Sequence, residues 1–340
     1  MMFEKSTIPI GKTATLAMIL LILLAGGAWF YRVQELSVQQ AVKTNLSAIV
    51  QLKVEQISKW REERLLDGID LMNRPFLIRR IAKWLQKSPE SDAESILEEL
   101  QAVQGKHDYA DVLLVDPEGR LLKSLAGENI VHLEYASALA SAMRERKPVF
   151  VELQRGIHYQ TPHISVVVPL FTLDGQTRGP LGAIILVSNA SQFLYPLIQS
   201  WPAPSKSAET VLVQRDGEEV LYLNDLRHRP NSALNLRIPL SRTDLTSVMA
   251  VLGKEGIVEG RDYRNIKVLS VIQPVPASPW FMVAKIDAAE AFAEWRFRAI
   301  LILSLLLSLV GLTGVFALVV WQQEKKTITA CSTNPKLPCA

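Results

Sequence analysis

Five polar side chains, Glu152, Arg155, His158, Tyr159 and His163, crowd into a short stretch between two apolar runs. A carboxylate, a guanidinium, two imidazoles and a phenol in one place offer charge and hydrogen bonds to a polar or anionic small molecule. On a strand, Glu152 and Gln154 share one face and Val151 and Leu153 the other. A solvated loop between two strands accounts for the same residues equally simply. Glu152, His158 and His163 match no zinc signature, since five residues and Pro162 separate the histidines. No Ser-His-Asp order, Gly-rich phosphate loop or His-Glu-x-x-His element is present, so the chain is read as a non-enzyme without cofactor or metal.

The elements that must position these residues lie between two membrane-length apolar segments. Ala14–Tyr31 and Ala299–Val320 carry no charge, and each approaches the ~20 residues that cross a bilayer. The first follows Lys5 and Lys12 and contains Ala25-Gly26-Gly27-Ala28, as a signal peptide would. It runs on into Trp29-Phe30-Tyr31, an interfacial aromatic belt, and then without a break into a helical pattern, so an uncleaved anchor is expected. From Val33 to Leu71 there is no proline, and Val42, Leu46, Ile49, Ile57 and Trp60 fall near one helical face. This predicts a stalk helix on the order of 55 Å long, its stripe either packed on the following domain or forming a dimer seam. A second helix is expected over Ser91–Val103.

The chain has 340 residues, is 49% hydrophobic and has a net charge of +3 from 37 basic and 34 acidic residues, with no like-charge block to suggest nucleic acid. Both cysteines, Cys331 and Cys339, follow the second span, and the thiol-free interior suits an oxidising exterior. Positive charges are nearly balanced on the two sides of the spans. Tails inside and domain outside is the orientation adopted, from the cysteines and from the likeness described below.

Strand patterns begin at Asp111–Val115 and Arg120–Leu125 around Asp116-Pro-Glu-Gly119, turn chemistry for a hairpin. About 100 residues later Thr210–Val213 and Glu219–Leu223 flank Arg215-Asp216-Gly217 in the same way. Lys147–Leu153 is echoed by Gly256–Glu259, His163–Pro169 by Ile266–Ile272, and Leu181–Val187 by Trp280–Ile286. The repeat predicts two copies of one module, each a hairpin, a helical crossover and three further strands in a five-stranded antiparallel sheet. Trp201-Pro-Ala-Pro-Ser205 marks their boundary.

In this order the elements resemble a bacterial double Cache sensor, over roughly residues 13–321. Val258–Asn265 followed by Pro274–Asp287 is similar to the membrane-proximal module of sensor kinases and diguanylate cyclases, and Lys147–Phe150 and Ile164–Pro169 resemble strands of the distal module. The resemblance implies an α+β fold: two PAS-like modules with antiparallel five-stranded sheets on a long N-terminal helix, flanked by two transmembrane helices. The expected divisions are a cytoplasmic tail at 1–12, a span at 13–31, a stalk helix at 32–72, a distal module at 73–200 and a proximal module at 201–290. A linker helix and second span follow at 291–321, and a cytoplasmic tail at 322–340.

The resemblance also implies a small ligand in the distal module, often an amino acid held by an Arg-x-Trp-Tyr signature and an Asp closing the last strand. Here the crossover reads His132-Leu133-Glu134-Tyr135 and the strand ends Val187-Ser188-Asn189. Only Tyr135 matches, so amino-acid recognition is not carried over. The candidate ligand-contacting set is Tyr135, Glu152, Arg155, His158, Tyr159 and His163. In the proximal module Arg227, His228, Arg229, Arg237 and Arg242 form a basic region, read as solvated, and Trp280 is read as core.

The expected function is a receptor region in the bacterial inner membrane, with its large domain periplasmic, that binds a small ligand and moves its second span. The expected partners are the ligand, the membrane, a second copy of the chain and a separate signalling partner, but no nucleic acid. The short tail after Trp321 suggests a truncated receptor or one that signals through that separate partner. The alternative is a scaffold like the polysaccharide chain-length regulators, which also have two end spans.

Overall fold

The computed structural model describes residues 10–86, 90–127, 135–156, 161–172 and 179–333. They divide into an α/β body, Leu46–Asp287, and a helical unit formed by the two ends of the chain.

Helix α1 (Ile10–Met72) is unbroken, as expected from its lack of proline. Within the body it buries Leu46, Val50, Val54, Ile57 and Trp60, spaced three or four apart. Helices α2 (Pro75–Gln86) and α3 (Glu90–His107) follow. Then come β1 (Asp111–Val115), β2 (Leu121–Ser124), α4 (Ala136–Glu145), β3 (Val149–Gln154), β4 (His163–Phe171) and β5 (Pro180–Asn189). The five strands form one antiparallel sheet in the order β2-β1-β5-β4-β3.

Alternation sorts the strand residues onto two faces. Val112, Leu114, Val166, Val168, Ile184 and Leu186 join Leu77, Ile81, Ile96 and Leu100 of α2 and α3 in one core. Leu113, Val115, Val167, Ile185 and Val187 join Tyr135, Leu139 and Ala142 in the other, beneath α4. At Gly182, φ is +138° and an added Cβ would lie 2.1 Å from the Val115 carbonyl oxygen, so β5 can approach β1 there only without a side chain.

Helix α5 (Leu194–Gln199) leads to the second sheet. This contains β6 (Glu209–Asp216), β7 (Glu219–Tyr222), β8 (Arg237–Pro239), β9 (Gly256–Arg261), β10 (Lys267–Pro274) and β11 (Trp280–Asp287), with α6 (Thr246–Val251) on one face. The order is β8-β7-β6-β11-β10-β9, six strands where the repeat predicts five. The additional strand, β8, pairs only with β7 at the sheet edge, where Pro239, lacking an N–H, is tolerated.

Lys53 of α1 holds the end of α5, the helix between the two sheets. Its ammonium donates to the carbonyls of Leu197 (2.5 Å), Ile198 (3.0 Å) and Ser200 (2.6 Å) at the end of α5, where the carbonyls left over by the helix point outward.

After β11 come α7 (Ala288–Ala291) and α8 (Ala293–Thr333). Within the helical unit Tyr31 of α1 and Trp295 of α8 bring their ring centroids to 5.0 Å. Gly27 faces Leu306, where an added Cβ would meet Cδ1 at 2.7 Å. Among the described residues one stretch, Trp295–Gln323, is long and apolar enough to cross a membrane.

Candidate ligand-binding site

Tyr135 immediately precedes α4, and its ring enters the core beneath that helix at 1% exposure. Its hydroxyl lies 3.3 Å from His163 Nε2 and 3.2 Å from Ser165 Oγ. His163 and Ser165 occupy alternate positions on β4 and so point to the same face, and both are buried. The imidazole Nδ1 is 3.5 Å from the Thr161 carbonyl oxygen. A phenol, an imidazole and a hydroxyl thus meet on an otherwise apolar wall of Leu113, Val151, Val167 and Val187. Each can donate or accept, which suits a small ligand carrying oxygen or nitrogen.

The structure separates the other expected site residues from this cluster. Glu152 takes the opposite direction: its carboxylate accepts two hydrogen bonds from Arg61 of α1, at 2.8 and 2.9 Å. Arg155, just past β3, holds Nη2 3.5 Å from the Ala233 carbonyl oxygen on the β7–β8 connection. His158 and Tyr159 lie outside the described residues, as does His132-Leu133-Glu134. Of the six expected residues, Tyr135 and His163 are brought together. Ser165 joins them unforeseen, although a serine two places after a histidine in an apolar strand is a legible signal.

Pairing of β3 with β4 is interrupted between Val151 and Gln154, where β3 carries one extra residue. The bulge lies on the strand whose Val151 packs in the core that contains Tyr135 and whose Glu152 accepts from Arg61.

In the second sheet the corresponding region is filled by charge. Lys285 on β11 reaches Glu209 (2.8 Å) and Asp262 (2.5 Å). Arg264 bridges Asp262 and Asp287. Tyr263 donates to Glu209 at 2.8 Å, and its ring lies 4.5 Å from the ammonium. Burial, then the Glu209 carboxylate, pushes the Tyr263 phenol well above its ordinary value. These groups satisfy one another, which is how buried charges persist. The basic residues of this region are divided: Arg227 donates to the Ser205 carbonyl, while Arg237 and Arg242 pair with Asp216 and Asp244. Trp280 is fully buried, in agreement with its reading as core. A cleft of about 190 Å³ opens beside the cluster, lined by Gln199, Glu209, Thr210, Asp225, Leu226 and Arg227. Among the described residues no group of three or more His, Cys, Asp or Glu is arranged to hold a metal.

No family model matches the chain. No curated protein matches it either. Solved structures do. The ligand-binding domain of the Campylobacter jejuni chemoreceptor Tlp3, in complex with 4-methylisoleucine, is similar with a TM-score of 0.53 at 10% identity, over 75% of this chain and 94% of that one. Another structure of the Tlp3 sensory domain gives 0.52 at 11% identity, over 75% and 97%. The ligand-binding domain of the Pseudomonas aeruginosa amino acid chemoreceptor PctB, with L-Gln, gives 0.48 at 16%, over 73% and 92%. With its long helix and two antiparallel sheets, the chain has the double PAS-like, Cache-type fold of chemoreceptor ligand-binding domains.

Proposed function

We propose that the chain is the extracytoplasmic sensory region of a two-pass membrane receptor, binding a small polar ligand between α4 and the first sheet. The observation that carries this reading is the buried Tyr135–His163–Ser165 cluster on an apolar wall, in a fold shared with a Tlp3 domain whose structure holds 4-methylisoleucine. A phenol, an imidazole and a hydroxyl differ from the paired guanidinium and carboxylate that grip an α-amino acid. The ligand class is therefore a small oxygen- or nitrogen-bearing molecule read by hydrogen bonds and shape. Ala14–Tyr31 and Trp295–Gln323 serve as the two anchors.

A second reading rests on the cleft at Asp225 and Arg227, whose side chains carry both signs of charge. One experiment separates the two. Thermal unfolding of the full chain in detergent is followed with amino acids, short carboxylates and polyols. A ligand at 100 times its dissociation constant adds ~2.7 kcal/mol. Stabilisation lost in Tyr135→Phe and retained in Asp225→Asn supports the first site, and the reverse pattern overturns it in favour of the cleft. Absence of any shift together with large closed oligomers returns the scaffold reading.

A further inference from the structure

Arg61 of α1 is almost fully buried, and its guanidinium is held by groups from both sheets at once. Nη1 and Nη2 donate to the two oxygens of Glu152 on β3 at 2.9 and 2.8 Å, and Nη2 also donates to the Ala277 carbonyl at 3.0 Å. Ala277 lies in the turn between β10 and β11 with φ +53°, a left-handed conformation that only a well-fixed turn holds in a residue with a Cβ. The Phe150 ring of β3 lies 3.9 Å from the guanidinium carbon and the Trp280 ring of β11 4.6 Å. The adjacent Trp60 stacks on Phe193 at 5.4 Å and meets Phe150 edge-on.

A buried guanidinium is costly unless its charge and donors are matched, and the two-pronged fit to a carboxylate fixes angle as well as distance. Neither sheet alone supplies the set: Glu152 and Phe150 come from the first, Ala277 and Trp280 from the second. On the reverse side of β3, Val151 packs in the core that contains Tyr135.

We propose that Arg61 is the positioning residue that couples the two modules. Building on the ligand site above, a ligand that moves Tyr135 shifts β3. The shift passes from Glu152 through Arg61 to the β10–β11 turn and so to β11, the strand that leads into α7. Coupling of this kind needs a shared element that both sites bias, and Arg61 is an element that each sheet grips directly.

The test needs no ligand, so its failure leaves the Tyr135 site standing, and failure of that site leaves this coupling intact. Hydrogen exchange is measured on the full chain in detergent, with the first module loosened by Ile185→Ala, a core substitution under α4. With Arg61 present, exchange in residues 267–287 accelerates along with that of the first sheet, by about tenfold or more. In Arg61→Met the same perturbation leaves residues 267–287 within about twofold of the single variant. An equal response of the second sheet in both backgrounds overturns the proposal, as does no response in either. If Arg61→Met does not fold, Glu152→Gln, which keeps the ring contacts and the Ala277 bond, carries the same comparison with the same outcomes.

Discussion

The ammonium of Lys285 lies 2.5 Å from the carboxylate of Asp262, and neither side chain is more than 2% exposed. Removing Lys285 takes the buried cation from between two buried carboxylates, Glu209 and Asp262. Lys285→Met is expected to destabilise the α/β body by about 3–5 kcal/mol, read from the shift of the urea midpoint at pH 7. A loss below about 1 kcal/mol, the range of exposed pairs, would show that water reaches the cluster.

The same pair sets an acid limit. Burial pushes the Asp262 carboxyl up, but Lys285 and Arg264 outweigh it, and its pKa falls below the ordinary 3.8. The folded form then releases the proton more readily than the unfolded chain. Its contribution is complete above pH 3.8 and disappears as pH falls through the lower folded value. Urea midpoints measured from pH 5 downward are expected to drop more steeply for the wild type than for Asp262→Asn.

Lys53 acts in the same sense, in an alkaline window. Burial pushes its ammonium down from 10.5 to about 8. Between those values the unfolded chain binds more protons than the folded one, so stability gains a rising contribution as pH increases from 8 to 10.5. In Lys53→Met this contribution is absent, and a midpoint–pH curve that keeps its slope would refute the assignment.

Gly182→Ala tests the join between β1 and β5. The Val115 carbonyl oxygen, 2.1 Å from the added carbon, is backbone that cannot swing aside, and φ is +138°. A loss on the order of 3 kcal/mol or more is expected, with hydrogen exchange accelerating first in residues 111–115.

Tyr135→Phe removes one hydroxyl and little volume. It is expected to cost about 1 kcal/mol while abolishing the ligand-induced thermal shift. A shift that survives would remove the hydroxyl from the ligand's contacts.

What could be read from the residues in order is what the chain writes locally. Asp116-Pro-Glu-Gly119 and Arg215-Asp216-Gly217 announce their hairpins because proline, acidic residues and glycine suit turns. The near-continuous apolar runs of β4 and β10 mark central strands covered on both faces. β8 is three residues ending in proline, too short to show a period. α2 opens at Pro75, a residue that suits a first helical turn but reads equally as a breaker. Glu152 reads as ligand chemistry because its partner, Arg61, stands 91 positions away on another element. Long-range pairing of that kind leaves no trace in spacing, so a charged residue held by the fold and one awaiting a ligand look alike.

In the second sheet β11 lies between β6 and β10 and is hydrogen-bonded along both edges, with Ala288 following directly on its last residue. Asp287 is further held by Arg264 and by its own N–H to Ser207. A strand gripped on both sides cannot slide alone without breaking two ladders, so it travels only with its sheet. Asp287 is thus a fixed point of the second sheet, and its displacement reports that of the whole sheet.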